Sequence, residues 1–313
     1  MAVRRAGICL AKNMPQTWGT IAWEGVTARV PAEWSLVGVS GDAQKGYLRV
    51  DSSESSVLEM RWSTAQGKPP ELLAKARELL ANLDKSCRKQ GTKLTSKIKN
   101  EGQAVAFWWK TDRVGEGRLT YCDKCDRVLI AQVIYPCDED FSDTAQSILR
   151  SIRDHRSDGL VGWALYGLEF AVPPSYSLEK HTLMSGYLQL VFRNHAKRLI
   201  VERWGLANSL LGDDSLMDWY RKDVLPDIKG FRVEFGETEI LGHQALRVFG
   251  WAAGIRQAIK TAAYSLTLYT NPKLLTGYAW QCTESNRLYS VRTTHDEGEN
   301  IAERVRDLIR CHK

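Results

Sequence analysis

The sequence predicts an α+β chain: two tandem copies of one unit, each an antiparallel sheet flanked by helices. Two observations point there. An ordered set of residues recurs along the chain at a nearly constant spacing, the mark of an internal repeat. Within each copy, short segments of alternating polarity outnumber segments of helical period, and only two of the latter stand beside a run of strands.

The repeat is carried by particular residues. Gly25, Val30, Pro31, Trp34 and Leu36 return as Gly167, Val172, Pro173, Tyr176 and Leu178, every one at an offset of 142. Gly46, Tyr47 and Leu48 return as Gly186, Tyr187 and Leu188 at 140, and Arg61 and Trp62 as Arg203 and Trp204 at 142. Gly102-Gln103 answers Gly242-His243. Near the ends of the copies, Ala145, Ile148, Ile152, Arg153 and His155 match Ala302, Val305, Ile309, Arg310 and His312 at 157. Small drifts of this kind are what loop insertions leave behind. The expected division is a tail over 1–17, a first repeat over 18–156 and a second over 163–313.

Each copy opens on a strand that runs into Val-Pro and an aromatic residue. Alternation at Tyr47–Val50 and Val57–Met60 predicts a hairpin across Asp51–Ser56, where turn formers cluster. Leu72, Leu73, Ala76, Leu79, Leu80 and Leu83 recur at helical spacing, with Pro69 and Pro70 expected in the first turn. The equivalent helix in the second copy carries Leu216, Trp219, Tyr220 and Val224, with Asp213 or Asp214 as its expected cap. Strands are expected over 92–99, 103–111, 116–122 and 127–135, then over 231–238, 244–251, 262–269, 276–282 and 287–293. A helix closes each copy; in the first, Asp138, Glu139 and Asp140 are expected at its N-terminus, favoured there by the dipole.

That order of elements, with the segments Val30-Pro31-Ala32-Glu33-Trp34 and Val172-Pro173-Pro174-Ser175-Tyr176, resembles the fold shared by the nuclear-transport factor Mog1 and the photosystem protein PsbP, in both halves. The resemblance implies a Mog1/PsbP-like fold and a non-catalytic binding or assembly protein whose partner is another protein.

Composition narrows the classes. A hydrophobic fraction of 43% and a charged fraction of 26% are ordinary for a globular chain. No apolar run has the roughly 18 residues of a membrane span, and the N-terminal patch is too short for a secretory signal, so a cytoplasmic location is expected. The formal charge of +6 is spread among acidic residues. Its densest part, Lys85, Arg88, Lys89, Lys93, Lys97 and Lys99, lacks interleaved aromatics, which argues against nucleic acid and for a helix end beside an edge strand guarded by lysines.

Seven cysteines without a secretion signal read as reduced thiols. Cys122 and Cys125 have the C-x₂-C spacing that grips one zinc ion from a tight turn. The closing helix returns His155 to that end, so Cys122, Cys125 and His155 form a candidate zinc site. Cys282 and His312 repeat it in reduced form, with Ser285 where Cys125 stood. His181, His195 and His243 read as isolated. Trp108 and Trp109 are partner-binding candidates; adjacent on a strand, they point to opposite faces. The phosphate-loop, zinc-protease and nucleophile-elbow motifs are absent. Three readings follow: a non-catalytic binding or scaffold protein, a zinc-binding protein, and an enzyme using a cleft between the repeats.

Overall fold

The computed structural model describes residues 17–253, 272–298 and 300–312. The strand expected over 262–269, and Cys9, lie outside the described residues. The described residues fall into two compact units: Thr27–Asp154 with the residues up to Ile21, and the chain from His155 onward with Ala22–Val26.

The described residues begin with a hairpin, β1 (Trp18–Trp23) and β2 (Val26–Pro31). The first unit then runs β3 (Ser35–Gly41), β4 (Lys45–Asp51), β5 (Val57–Thr64), α1 (Leu72–Lys89), β6 (Thr95–Asn100), β7 (Ala104–Lys110), β8 (Arg113–Cys122), β9 (Arg127–Pro136) and α2 (Ser142–Ser151). Its sheet has the order β3-β4-β5-β9-β8-β7-β6.

The second unit has a hairpin of β10 (Val161–Leu165) and β11 (Leu168–Val172), then β12 (Ser177–Leu183), β13 (Tyr187–Asn194) and β14 (Lys197–Gly205). After two short helices, α3 (Ala207–Leu211) and α4 (Leu216–Trp219), come β15 (Phe231–Ile240), β16 (His243–Ala252), β17 (Leu274–Cys282), β18 (Arg287–His295) and α5 (Ala302–Leu308). Its sheet has the order β12-β13-β14-β18-β17-β16-β15. Position for position this is the permutation found in the first unit, so the repeat read from the sequence is a repeat of topology. The fold is α+β, with two antiparallel seven-stranded sheets, each carrying helices.

Packing explains the pattern. In the first unit Ala76 and Leu80 of α1 cover Val105, Phe107, Trp109 and Leu119. Gly115 and Gly117 leave the space that the rings of Trp109 and Phe107 fill. In the second unit Trp219, Tyr220 and Val224 lie over Leu246, Val248, Leu275, Ala279 and Leu288. Each sheet also holds a carboxylate. Glu202 forms a buried ion pair with Arg292 and accepts from Tyr187 Oη at 2.7 Å and Gln189 Nε2 at 2.8 Å. The carboxylate that meets Tyr47 is Glu59, which also accepts from the neutral Gln132 at 3.0 Å.

Several expectations change in detail. Pro69 and Pro70 precede α1, whose first residue is Leu72. Asp138, Glu139 and Asp140 lie ahead of α2, which starts at Ser142. Ser215, not Asp213 or Asp214, caps α4 by accepting from the Asp218 N–H at 3.1 Å. The single helix expected there is broken: α4 gives way to a π turn over Tyr220–Val224 and a 3₁₀ turn over Leu225–Asp227. Pro226 in that last turn has no N–H with which to continue a helix.

Trp62 and Trp204 are not equivalent. Tyr47 pairs with Arg61, whereas Tyr187 pairs with Trp204. A slip of one residue sends a side chain to the other face. Trp204 therefore packs edge-on to Trp219 at 4.9 Å, while Trp62 shares the face of Leu58 and Met60 and donates its indole N–H to the Asp42 carbonyl at 2.8 Å. Arg61 stands over Tyr47 at 5.2 Å, as Trp204 does over Tyr187. None of the described helices is long and apolar enough to cross a membrane.

Candidate metal centre

Three chain segments meet at one end of the second sheet. The loop joining β15 to β16 is two residues long, because Ile240 pairs directly with His243. Both loop residues, Leu241 and Gly242, take positive φ, 53° and 79°, the condition of the tight type I′ hairpin turn. His243 is thereby fixed as the first residue of β16. β17 runs antiparallel to β16, with Ala245 opposite Trp280. Continuing that register by two residues sets Cys282, the last residue of β17, across from His243.

The third segment follows α5. The Arg310 N–H bonds to the Glu169 carbonyl of β11 at 3.1 Å, making an isolated bridge. Extended backbone alternates its side chains, so Ile309 and Cys311 turn inward, 1% and 4% exposed, while Arg310 faces solvent. Tyr289 Oη holds the Cys311 carbonyl at 3.3 Å.

The result is a set of two cysteines and two histidines, His243, Cys282, Cys311 and His312, whose ligand atoms all lie within 4.8 Å of one another. A tetrahedral zinc ion with Zn–S near 2.3 Å and Zn–N near 2.05 Å requires N···N edges of about 3.3 Å and S···N edges of about 3.6 Å. His243 Nε2 is 3.3 Å from His312 Nδ1. Cys282 Sγ is 3.5 Å from His312 Nδ1, and Cys311 Sγ is 3.2 Å from His312 Nδ1 and 3.6 Å from His243 Nε2. The imidazole planes cross at 89°. The outer nitrogen of His312 lies 3.9 Å from the Glu284 carboxylate, beyond hydrogen-bond reach.

The two thiols differ in character. Burial, and then the neighbouring Cys282, push the Cys311 thiol up to about 11. For Cys282 burial also opposes ionisation, but Ser285, His312 and Cys311 outweigh it and hold that thiol below its usual value.

A related set lies beside the turn between β8 and β9. Cys122 ends β8, Cys125 lies in the turn before β9, and Asp154 with the adjoining His155 follows α2; their ligand atoms also lie within 4.8 Å of one another. Cys122, Cys125 and His155 stand together, with Asp154 beside them. That carboxylate is already engaged. Arg127 Nη2 approaches Asp154 Oδ1 at 2.8 Å in a pair that is 7% and 12% exposed, and Cys125 Sγ donates to Asp154 Oδ2. Burial, then this bond to Asp154, push the Cys125 thiol up to about 12.

The second set is larger than the sequence suggests. Cys282 and His312 are joined by Cys311 and by His243, which is not isolated. Sequence signals for both existed: Cys311 adjoins His312, and the repeat aligns Gly242-His243 with the hairpin turn Gly102-Gln103. His181 is not isolated either; it meets Trp23 edge-to-face at 5.2 Å. Trp109 is 7% exposed beneath α1, which removes it as a partner-binding residue and leaves the half-buried Trp108.

No protein-family model and no curated protein matches the chain. Among solved structures it is similar to the cyanobacterial PsbP, CyanoP, of Synechocystis sp. PCC 6803, at 10% identity and a TM-score of 0.35, over 47% of this chain and 97% of that one. It is also similar to the apo immunity protein TplEi of the T6SS from Pseudomonas aeruginosa, at 12% identity and a TM-score of 0.33, over 94% of this chain and 96% of that one. A chain of the Tle4–Tli4 complex gives 12% identity and a TM-score of 0.33, over 95% and 99%. These likenesses are loose. The first is a resemblance to PsbP at the level of fold, and the candidate metal site rests on this chain's own geometry.

Proposed function

We propose that the chain is a non-catalytic binding protein whose second unit is fastened by a structural zinc ion held by His243, Cys282, Cys311 and His312. One observation carries the metal: two sulfurs and two nitrogens from three separate segments lie within 4.8 Å of one another, and four of their six separations, 3.2–3.6 Å, are close to the edges of a zinc tetrahedron. Four protein ligands leave no coordination position for a substrate or an activated water, which favours a structural role over catalysis. The ion would tie the segment after α5 to the hairpin turn before β16. Thiolate ligation needs reduced cysteines, and the described cysteines are free thiols.

A second reading concerns Cys122, Cys125, Asp154 and His155. Zinc there would compete with Arg127 for Asp154, so this set binds zinc more weakly than the first.

The test is elemental analysis of the full chain, purified under reducing conditions and dialysed against a weak chelator. The expected result is one tightly held zinc per chain, lost in Cys311→Ser and in His243→Ala and kept in Cys125→Ser. A metal-free wild type that takes up no stoichiometric zinc when supplied with it overturns the proposal.

A further inference from the structure

The first sheet is wider than the helix on one of its faces. α2 packs on β8 and β9, while β6 and β7 continue beyond it. On the opposite face β6 and β7 meet α1 through Ile98, Val105, Phe107 and Trp109. By strand alternation Lys97, Lys99, Ala106 and Trp108 stand on the face that α2 leaves bare. There, between the helix and the rim of the sheet, lies an open groove of about 820 Å³.

Its chemistry is lopsided. Lys97, Lys99, Arg118 and Arg150 line it against two carboxylates, Glu101 and Glu116. Glu116 is 5% exposed and already accepts from Tyr135 Oη and Ser142 Oγ, both at 2.6 Å, and from Gln146. Glu101 is shared between Lys99 at 3.5 Å and Arg118 at 3.7 Å. Lys97 lies over the Trp108 ring at 5.6 Å.

The rim of the groove is β6, the last strand of the sheet, so half of its N–H and C=O groups point away from β7. The second unit shows that the fold does not require this charge. On the matching face of its own last strand stand Arg232, Glu234 and Gly236, and Glu234 has Phe249 opposite it just as Lys97 has Trp108.

We infer that β6 and this groove receive an extended acidic segment of a protein partner. The segment adds as a strand along Thr95–Asn100 and places its carboxylates on Lys97, Lys99 and Arg150 and an apolar side chain on Trp108. Strand addition supplies main-chain hydrogen bonds, and alternate side chains read the groove. Nucleic acid is the poorer match: it has no use for the strand's open amides, and one lysine-covered indole is a meagre stacking platform. The inference names the partner class of the binding role proposed above and is independent of the zinc ion, which belongs to the other unit.

The experiment uses the full chain and two labelled probes, a ten-residue peptide alternating Glu and Val and a ten-nucleotide single-stranded DNA, read by fluorescence anisotropy at low salt. The peptide is expected to bind. Lys97→Glu/Lys99→Glu weakens it by about tenfold or more, Lys97→Gln/Lys99→Gln weakens it less, and Lys85→Glu/Lys89→Glu, the same charge change on α1, leaves it within about twofold. Hydrogen exchange over 95–100 slows when the peptide is bound. The inference is overturned if the peptide does not bind, if both charge reversals act equally, if 95–100 gains no protection, or if the DNA binds more tightly and shows the dependence on Lys97 and Lys99 instead. Failure here with zinc retained removes the groove and leaves the metal reading standing; loss of zinc with peptide binding intact does the reverse.

Discussion

Removing zinc from the second unit is expected to lower its stability without unfolding it, and the size of the loss can be worked out. The segment after β18 has hold points besides the proposed ion. Ala302, Val305 and Ile309 are at most 1% exposed, and burying side chains of the Val and Ile kind contributes about 1.5–3 kcal/mol each. The metal-free chain therefore keeps α5 in place. What it loses is the binding term, about 4.1 kcal/mol when free zinc is a thousandfold above its dissociation constant. For a unit near 150 residues each kcal/mol moves the melting temperature by roughly 2–4 °C, so chelation is expected to lower the melting temperature by roughly 8–16 °C. Differential scanning calorimetry of the full chain, with and without chelator and again after zinc is restored, reads this shift. Cys311→Ser should melt at the chelated temperature and ignore the chelator. A shift under about 2 °C, after metal analysis has shown the zinc removed, would refute the reasoning.

Other substitutions probe the scaffold. Arg292→Met strands Glu202 in the core and should cost about 3–5 kcal/mol in a denaturant titration; Arg292→Met with Glu202→Leu should recover much of that. Gly117→Ala drives a methyl group into the Phe107 ring and should cost about 1–3 kcal/mol by overpacking. Leu80→Ala opens a cavity under α1 and should cost about 2–5 kcal/mol.

The duplication was legible because it is written in residues with local reasons to persist. Val30-Pro31 and Val172-Pro173 end equivalent strands, and Tyr47 and Tyr187 each donate to a carboxylate on the neighbouring strand. The permuted strand order was not legible, since strand pairing has no short-range sequence mark. Nor was the slip that separates Trp62 from Trp204, because an offset that holds on both sides of a strand conceals a one-residue change of register. The break after Trp219 was also hidden: Leu216, Trp219, Tyr220 and Val224 suit a helix, and the π turn keeps them all on the core.

The candidate metal site was half legible for a related reason. Cys122 and Cys125 are neighbours in sequence and declare themselves. Cys282, Cys311, His312 and His243 come from three segments, and only the hairpin turn at Leu241-Gly242 and the bridge at Arg310 bring them together. The set of two cysteines and two histidines thus lies in the unit that lacks the C-x₂-C motif, while the motif in the first unit stands beside a carboxylate shared with Arg127.

The most direct test is X-ray absorption at the zinc edge on the full chain loaded with one equivalent of zinc. The account predicts a four-coordinate ion with two sulfurs near 2.3 Å and two nitrogens near 2.0–2.1 Å, a shell that Cys311→Ser, which no longer holds zinc tightly, does not show. A shell of light atoms alone, or a spectrum unchanged by Cys311→Ser, would contradict it.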